Sequence, residues 1–245
     1  MKTIEMFTVL DTVDSTNNYA MAKVHAGLAK HGRTWFAQDQ TNGKGQRGNT
    51  WISPPGENII MSMVIEPSPV FRGQPFLFNM AISNICHSFL QPYLENEVKI
   101  KWPNDIYSRD RKAGGILIEN VFQGSAWKWS VVGIGINVNQ VDFPGALKNA
   151  ISIKQVTGDS YDVIALARRL HEMIIVSVAA ISQATLAGLV ETYNDNLYLV
   201  NKIVKLRKKN IVFETTVKAV NGHGQLLTQD SIPRLFEFGE VEWIL

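Results

Sequence analysis

The chain has 245 residues, 45% of them hydrophobic and 19% charged, and a formal net charge of +2. This length can bury a sizeable core as one large domain, or as a domain with a small appendage, and the composition is typical of a soluble globular protein. The net charge is too small for a dedicated nucleic-acid-binding protein.

The N-terminal residues and the number of cysteines indicate the cellular compartment. Residues 1–7 contain an acid, Glu5, and no long apolar segment, so a signal peptide is not predicted. The single cysteine, Cys86, cannot form an internal disulfide, which fits a reducing compartment. It lies in an apolar helical pattern, where core packing is expected. Together these features predict a cytoplasmic protein.

The first part of the chain predicts helices that alternate with strands. Ser15 or Thr16 can cap a helix that continues to about Lys30, where Gly32 would stop it. The later elements predicted from apolar spacing and β-propensity are strands near residues 34–38 and 58–66, a helix from about Gln74 to Leu94, and strands near residues 98–102, 114–121 and 127–138.

The second part begins with a long apolar stretch. Residues 173–190 carry no charge, and their length of 18 residues is the lower limit for a membrane-spanning helix. They include polar side chains, and they follow an amphipathic pattern that starts at Asp159 or Ser160. A buried helix that turns near Gln183 is therefore predicted, in preference to a membrane span.

Beyond Asn196 the pattern changes to short β-prone runs separated by glycine and proline. The runs lie near residues 203–206, 211–220, 225–229 and 241–245. Closely spaced short strands of this kind predict a small β-barrel.

A glycine-rich loop over residues 40–51 is the most informative segment of the chain. Its glycines permit close approach of a ligand, Lys44 and Arg47 favour an anion, and Trp51 offers a face on which a flat ring can stack. Residues 43–48 also satisfy G-x-G-x-x-G, which in a dinucleotide-binding fold opens directly into a helix. The Pro-Pro-Gly that follows excludes such a helix, so a different nucleotide site is predicted.

Four further motifs accompany this loop. They are Asp14-Ser-Thr-Asn-Asn18, Lys101-Trp-Pro-Asn-Asp105, Arg111-Lys-Ala-Gly-Gly-Ile-Leu-Ile-Glu119 and Val132-Gly-Ile-Gly-Ile-Asn-Val-Asn139. With the five motifs in this order and at this spacing, the chain resembles the biotin–protein ligases. Any one motif is a weak signal, but the five together are a strong one, and the resemblance extends more loosely over the whole chain.

The resemblance implies an α+β fold in two parts. Residues 1–195 would form a catalytic domain with a mixed β-sheet and packed helices, of the class II synthetase type, and residues 196–245 an SH3-like small β-barrel. Members that also act as repressors carry an N-terminal winged-helix domain. Because the first motif begins at Asp14, we expect a ligase without that domain. Relatives frequently form homodimers through the catalytic sheet, so a homodimer is one expected assembly.

The implied reaction has two steps. The carboxylate of biotin is joined to AMP from ATP, with release of pyrophosphate, and biotin is then transferred to a lysine of a biotin carboxyl carrier protein or domain of a carboxylase. Mg²⁺ would be carried by ATP, near Asn104 and without fixed protein ligands. DNA and membranes are not expected partners.

The resemblance also implies roles for individual residues. Lys112 would contact the biotin carboxyl and the phosphate, Asp105 would lie near the incoming acceptor lysine, and Lys44 and Arg47 would complete the catalytic set. The implied biotin-binding residues are Ser15, Thr16, Asn17, Gln40, Gly43, Lys44, Gly45, Gln46, Lys112 and Gly114. The implied ATP-binding residues are Arg47, Trp51, Asn104, Lys112, Gly133, Gly135 and Asn137.

The glycine-rich loop departs from the family pattern, which commonly reads Gly-Arg-Gly-Arg-x-Gly. Lys44 and Gln46 stand in place of the two arginines. Because glutamine is neutral and cannot make a charge-assisted bidentate contact, we expect weaker retention of the biotinyl-AMP intermediate, by about 1–2 kcal/mol. The adjacent Arg47 would replace the missing contact if the loop turned differently.

Two other functions stay open from the sequence. Lipoate–protein ligases and octanoyl transferases have a related catalytic fold and also acylate a carrier lysine. A non-enzymatic nucleic-acid- or peptide-binding protein built on the small barrel would use the basic residues between Lys202 and Lys209, although a solvated hairpin end explains that cluster more simply.

Overall fold

A computed structural model describes residues 6–95, 97–143, 145–147 and 149–244. Within them, seven strands form a mixed sheet in the order β1-β2-β3-β7-β6-β5-β4. The strands are β1 (Phe7–Val13), β2 (Thr34–Gln40), β3 (Asn58–Ile65), β4 (Val98–Lys101), β5 (Asp105–Ser108), β6 (Arg111–Gln123) and β7 (Ala126–Asn137). β1 pairs parallel with β2, and the other neighbouring pairs are antiparallel.

Helices cover both faces of this sheet. They are α1 (Thr16–His25), α2 (Pro75–Leu90), α3 (Ile153–Thr157), α4 (Val163–Ala179) and α5 (Leu186–Asp195). α2 packs against α4 and α5. On the other face, α1 buries Ala20 and Val24 against Trp35, Val64 and Val131 of β2, β3 and β7. The inner strand β3 is buried along its whole length, which explains its mostly apolar sequence.

A second, antiparallel sheet follows α5 and has the strand order β11-β10-β9-β8-β12. Its strands are β8 (Ile203–Lys208), β9 (Ile211–Val220), β10 (Leu226–Gln229), β11 (Pro233–Phe236) and β12 (Glu242–Ile244). The indole N–H of Trp102 donates to the carbonyl of Gly224 (2.9 Å), which joins this sheet to the turn after β4. The division into domains at residues 195 and 196 stays a prediction.

Most of the elements expected from the sequence are confirmed, with shifted ends. α1 ends at His25, five residues before Lys30, because Gly27 takes a left-handed conformation (φ 69°) that terminates a helix. α2 ends at Leu90 because Pro92 follows, and α4 begins at Val163 with Asp162 as its cap, later than Asp159 or Ser160. The turn near Gln183 is present as a short 3₁₀ segment.

Three strands were missed by the sequence patterns: β1, β5 and β11. The expected strand end at Leu245 lies outside the described residues, as do residues 1–5 of the segment 1–7 on which the absence of a signal peptide was predicted. No single described helix has the length and apolar character of a membrane span. The pair α4 and Gln183–Asp195, bent by 104°, meets that test by length and composition alone.

Candidate active site

The glycine-rich loop folds back on itself directly after β2. The amide of Trp51 donates to the carbonyl of Gly43 (2.9 Å), and the amide of Gly45 donates to the carbonyl of Asn49 (2.7 Å). A Cβ on Gly43 would lie 2.3 Å from the Trp51 carbonyl oxygen, so this closure requires glycine. No helix follows Gly48: residues 49–57 form an isolated bridge, irregular backbone and a turn, which excludes a dinucleotide-binding loop here.

The loop lies over the sheet and encloses a cleft of about 230 Å³. The predicted site residues that line it are Ser15, Thr16, Asn17, Gln40, Lys44, Gly45, Gln46, Arg47, Trp51, Asn104, Asp105, Lys112, Gly133 and Gly135. Gly43 instead lines a cavity under the loop, and Asn137 lines a cavity on the far side of Trp51. Gly114 faces the carbonyl of Gly135, which lies 2.9 Å from the position of a Cβ there.

An ion pair between two strands lines the cleft. The ammonium of Lys112 lies 2.7 Å from Oδ1 of Asp105, and both side chains stay partly exposed, at 34% and 24%. The same ammonium is 5.7 Å from the ring centroid of Trp51. The strands β5 and β6 pair at Asp105 and Gly115, which brings the Trp-Pro-Asn-Asp and Lys-Ala-Gly-Gly motifs side by side. Three of the five motifs therefore meet at one point.

A second lysine, Lys101, lies near enough to this ion pair for its charge to interact with both partners. Lys101 donates from Nζ to the hydroxyl of Tyr107 (3.0 Å) and lies over the rings of Tyr107 and Trp243. Burial lowers its pKa to about 8, with the carboxylate of Asp105 acting in the opposite direction and the charge of Lys112 lowering it further. Lys101 therefore stays mostly protonated at neutral pH but loses its charge at a lower pH than an exposed lysine would.

The end of the cleft formed by the start of α1 is polar and uncharged. Ser15 is the N-cap residue of α1, but its side chain makes no capping hydrogen bond and so stays available to a ligand. Oε1 of Gln40 accepts from the backbone amide and the hydroxyl of Thr16, at 2.7 and 3.1 Å. Asn17 is 3% exposed and donates from Nδ2 to Oε2 of Glu119 (2.8 Å).

The two glycines at the end of β7 make room for the chain's own side chains. A Cβ on Gly133 would lie 2.1 Å from Oδ1 of Asn17, and a Cβ on Gly135 would lie 2.5 Å from the ring of Trp51. The sequence pattern was interpreted as a bare face against a ligand. The structure places Asn17 and Trp51 on that face, so the glycines act through the residues that line the cleft.

The cavity beyond Trp51 is small and mostly apolar. It is lined by Asn137 and Lys112 together with Thr50, Trp51, Ile52, Phe143, Leu147 and Ala150. Nδ2 of Asn137 donates to the carbonyls of Lys112 (3.2 Å) and Ile151 (3.1 Å). Because both amide hydrogens are used, the orientation of the side chain is fixed and its oxygen is the atom left for another partner.

Two buried polar atoms in the cleft have no hydrogen-bond partner among the described residues: Oε1 of Gln46 and Nε1 of Trp51. Leaving such atoms unpaired costs about 1–3 kcal/mol each, which is expected where a bound molecule supplies the partner. No group of three or more His, Cys, Asp or Glu side chains arranged to hold a metal occurs in the described part of the chain.

Sequence reasoning missed several residues at this site. Phe238, from the turn between β11 and β12, lines the cleft, and a Cβ on Gly239 would lie 3.3 Å from the guanidinium carbon of Arg47. Met61 of β3 lines the wall, whereas Ser62 and Glu119 hold Asn17. Glu119 stood inside a quoted motif and could have been found by its charge in an apolar strand. Phe238 carried no local signal, because a contact across so much of the chain leaves no pattern in its neighbours.

Comparison with known proteins identifies relatives of this chain. A profile of the Biotin/lipoate A/B protein ligase family matches residues 9–137. The bifunctional ligase/repressor BirA of Escherichia coli is 29% identical over 237 residues, covering 95% of this chain and 72% of that protein. The biotin–[acetyl-CoA-carboxylase] ligase of Paracoccus denitrificans is 31% identical over 160 residues, covering 63% of this chain and 65% of that protein. Of three other ligase/repressors the chain spans between 40% and 47% of the length.

The fold also has solved counterparts. The biotin protein ligase of Aquifex aeolicus, in complex with biotin and ATP, superposes with a TM-score of 0.81 at 21% identity, over 98% of this chain and 99% of that one. At this identity the likeness establishes the fold: a mixed sheet with packed helices and a second, smaller sheet at the C-terminus. Because the family profile covers more than half of the sequence, including all five motifs up to Asn137, the chain belongs to the Biotin/lipoate A/B protein ligase family.

Proposed function

We propose that this protein is an ATP-dependent biotin–protein ligase, which activates biotin as biotinyl-5′-AMP and transfers it to a lysine of a carrier domain. One observation carries the proposal. One cleft brings together a cation, Lys112, an uncharged polar end at Thr16 and Gln40, and an aromatic plate, Trp51, whose ring centroid lies 5.7 Å from the Lys112 ammonium. These groups match a carboxylate meeting a phosphate, a ureido ring, and a purine.

In the first step an oxygen of the biotin carboxylate attacks the α-phosphorus of ATP, and the bond from that phosphorus to pyrophosphate breaks. Two anions must approach each other, so the site has to supply positive charge where negative charge develops. Lys112 is the central cation, and Lys44 and Arg47 reach the cleft from the loop. Mg²⁺ carried by the phosphates, near Asn104, belongs to the same proposal.

In the second step the amine of the acceptor lysine attacks the acyl carbon, and AMP leaves. The amine must be neutral to attack, and it loses a proton as the amide forms. Asp105 lies at the cleft, with Oδ1 held by Lys112. We assign it the role of orienting the incoming amine through its second oxygen. The acceptor is proposed to be a biotin carboxyl carrier domain, and the homodimer and the cytoplasmic location stay predictions.

The fixed amide of Asn137 predicts a choice between purines. Its free oxygen can accept from the amino group at C6 of adenine, but it would face the C6 carbonyl of hypoxanthine. We therefore predict that kcat/KM for ATP exceeds that for inosine triphosphate by at least about tenfold. Purine riboside triphosphate, which has neither group, should fall between the two. Equal values for ATP and inosine triphosphate would contradict this role of Asn137.

The neutral side chain of Gln46 predicts rapid loss of the intermediate. Its Nε2 donates to the carbonyl of Ile116 (3.3 Å), and its buried oxygen has no hydrogen-bond partner in the part of the chain that the structure describes. Gln46→Arg should raise the free-energy barrier to release of biotinyl-AMP by about 1–2 kcal/mol. The release rate is measured after dilution of the preformed complex. Asn42→Arg adds the same charge to an exposed position of the loop and should leave release unchanged. Equal rates for the wild type and Gln46→Arg would disprove the prediction.

Thermal unfolding tests the proposed substrates directly. A ligand that binds only the folded state raises the midpoint of unfolding, and the stabilisation grows with the logarithm of its free concentration relative to its dissociation constant. Biotin with ATP and Mg²⁺ should stabilise the protein strongly, whereas lipoate or octanoate with ATP and Mg²⁺ should add little beyond ATP alone. Stabilisation by lipoate or octanoate but not by biotin would indicate a lipoate or octanoate ligase instead. If none of these ligands stabilised the protein, the proposed function would be wrong.

A further inference from the structure

Gln46 holds a buried amide oxygen whose direction is fixed. Its Nε2 donates to the carbonyl of Ile116 (3.3 Å), and a carbonyl oxygen can only accept, so the NH₂ group faces Ile116 and Oε1 points elsewhere. Oε1 is shielded from solvent and has no hydrogen-bond partner among the described residues. The side chain therefore presents a buried acceptor that needs an N–H or O–H group from another molecule.

Gln46 lies where the cleft meets a second cavity. This second cavity is a groove of about 390 Å³ that Gln46 also lines. Arg47, Leu117 and Phe238 line both cavities as well, so the groove leads into the cleft. The walls of the groove are mostly apolar, and their apolar residues are Pro75, Phe76, Pro103, Leu117, Ile118 and Phe238.

The groove is separate from the two ends of the cleft that the proposed function gives to biotin and to adenine. Thr16 and Gln40 at the uncharged end, and Trp51 at the aromatic one, line the cleft but not the groove. The remaining reactant is the acceptor lysine, which has an aliphatic stem and ends in N–H groups. Apolar walls that lead to a buried acceptor suit such a side chain.

The start of β6 brings this acceptor close to Asp105. Asp105 pairs with Gly115 across β5 and β6, and the next residue, Ile116, is the one that binds Gln46. The amide of Ile116 also donates to the carbonyl of Asn104 (3.0 Å), the residue before Asp105. A neutral primary amine has two hydrogens and one lone pair. Bound here, it can donate one hydrogen to Asp105 and the other to Gln46.

We propose that Oε1 of Gln46 binds and orients the amine of the acceptor lysine, an inference that rests on the proposed function. The lone pair of the amine forms the C–N bond, and the bond from the acyl carbon to the phosphate oxygen breaks with its electron pair on AMP. One hydrogen leaves as a proton through the carboxylate of Asp105 to solvent. The other stays on the nitrogen of the product and donates to Gln46, because an amide oxygen is too weak a base to take it.

The test replaces one hydrogen of the acceptor. The protein is loaded with biotin, ATP and Mg²⁺, and the complex is mixed with saturating biotin carboxyl carrier domain whose acceptor residue is lysine or Nε-methyllysine. The methylated amine has one N–H, which the reaction removes, so its methyl group must face Oε1 of Gln46. In a single turnover, wild-type transfer to lysine should be faster by at least about a hundredfold. Equal rates for the two acceptors would overturn the inference.

Gln46→Met should reduce the ratio of the two transfer rates. Methionine has a similar length but no strong acceptor, so lysine loses its second hydrogen bond and the methyl group of the other acceptor meets an apolar surface. The ratio should fall by at least about fivefold. A merely structural role of Gln46 would slow both transfers alike and leave the ratio unchanged. Gln123→Met is the matched control, since Gln123 is exposed at the end of β6 and lines neither cavity.

A second variant keeps the test decisive if Gln46→Met disturbs the loop. In Gln46→Arg the guanidinium only donates hydrogen bonds, so it cannot accept the N–H that stays on the nitrogen. The ratio should again fall by at least about fivefold, although biotinyl-AMP is released more slowly. Ratios that keep the wild-type value in both variants would overturn the inference while the carrier is still biotinylated. Failure of the wild type to form biotinyl-AMP, or to transfer biotin to lysine, would overturn the proposed function, and this inference with it.

Discussion

Replacing Lys112 by methionine is expected to reduce biotin-dependent exchange between ATP and pyrophosphate by roughly a hundred- to a thousandfold. Methionine keeps much of the length and apolar stem of lysine but removes the ammonium that lies between Asp105 and Trp51. Without it, the carboxylate and the α-phosphate would meet beside an unpaired Asp105. The loss should appear in kcat, because the missing interaction is strongest when negative charge develops.

The matched control for this variant is Lys128→Met. Lys128 is exposed near the start of β7 and does not line the cleft. Its replacement should leave exchange unchanged, and both variants should unfold within a few degrees of the wild type. Exchange by Lys112→Met within about threefold of the wild-type rate would remove Lys112 from the catalytic role, since a group that supplies one preorganised charge contributes far more than that.

Adding one methyl group to either glycine at the end of β7 should damage a different half of the site. In Gly133→Ala the new Cβ would lie 2.1 Å from Oδ1 of Asn17, so Asn17 would have to move, and biotin binding is expected to weaken. In Gly135→Ala the new Cβ would lie 2.5 Å from the ring of Trp51, so Trp51 would have to move, and ATP binding is expected to weaken. Overpacking of this kind costs about 1–3 kcal/mol, so each affinity should fall by roughly five- to a hundredfold.

The two variants control each other, because they lie two residues apart on one strand. Separate titrations with biotin and with the nonhydrolysable analogue of ATP should show the loss on one ligand for each variant. Gly188→Ala is the neutral reference, since among the described residues no atom outside its own helical backbone and its two chain neighbours lies within 4 Å of a Cβ at that position. A pattern in which both variants lose both ligands equally would mean that β7 is disturbed as a whole, and the assignment of the two ends would be wrong.

The sequence predicted the parts of this protein that depend on local chemistry. The prolines after Gly48 excluded a helix there, and the mostly apolar run of β3 and the proline and glycine signals elsewhere gave most elements within a few residues. The order of the motifs, read as a resemblance, brought together residues that do line one cleft. Those predictions rest on neighbours in the chain, which is where sequence patterns carry information.

Other features could not be predicted because they depend on distant contacts. The early end of α1 is the exception, because it follows from the neighbouring Gly27. Phe238, in contrast, reaches the cleft from the other sheet. The glycines of β7 were assigned to the ligand, although Asn17 and Trp51 occupy the space above them. The hydrogen bonds of Ser62 likewise join strands and a helix that only folding brings together.

The most direct test of the account is the exchange of labelled pyrophosphate into ATP by the purified protein, with biotin, lipoate or octanoate as the acid. The cleft around Lys112 predicts exchange that requires biotin and disappears in Lys112→Met, because the ammonium is the group that allows the two anions to meet. Exchange that requires lipoate or octanoate, or that survives the loss of Lys112, would contradict the account at its centre.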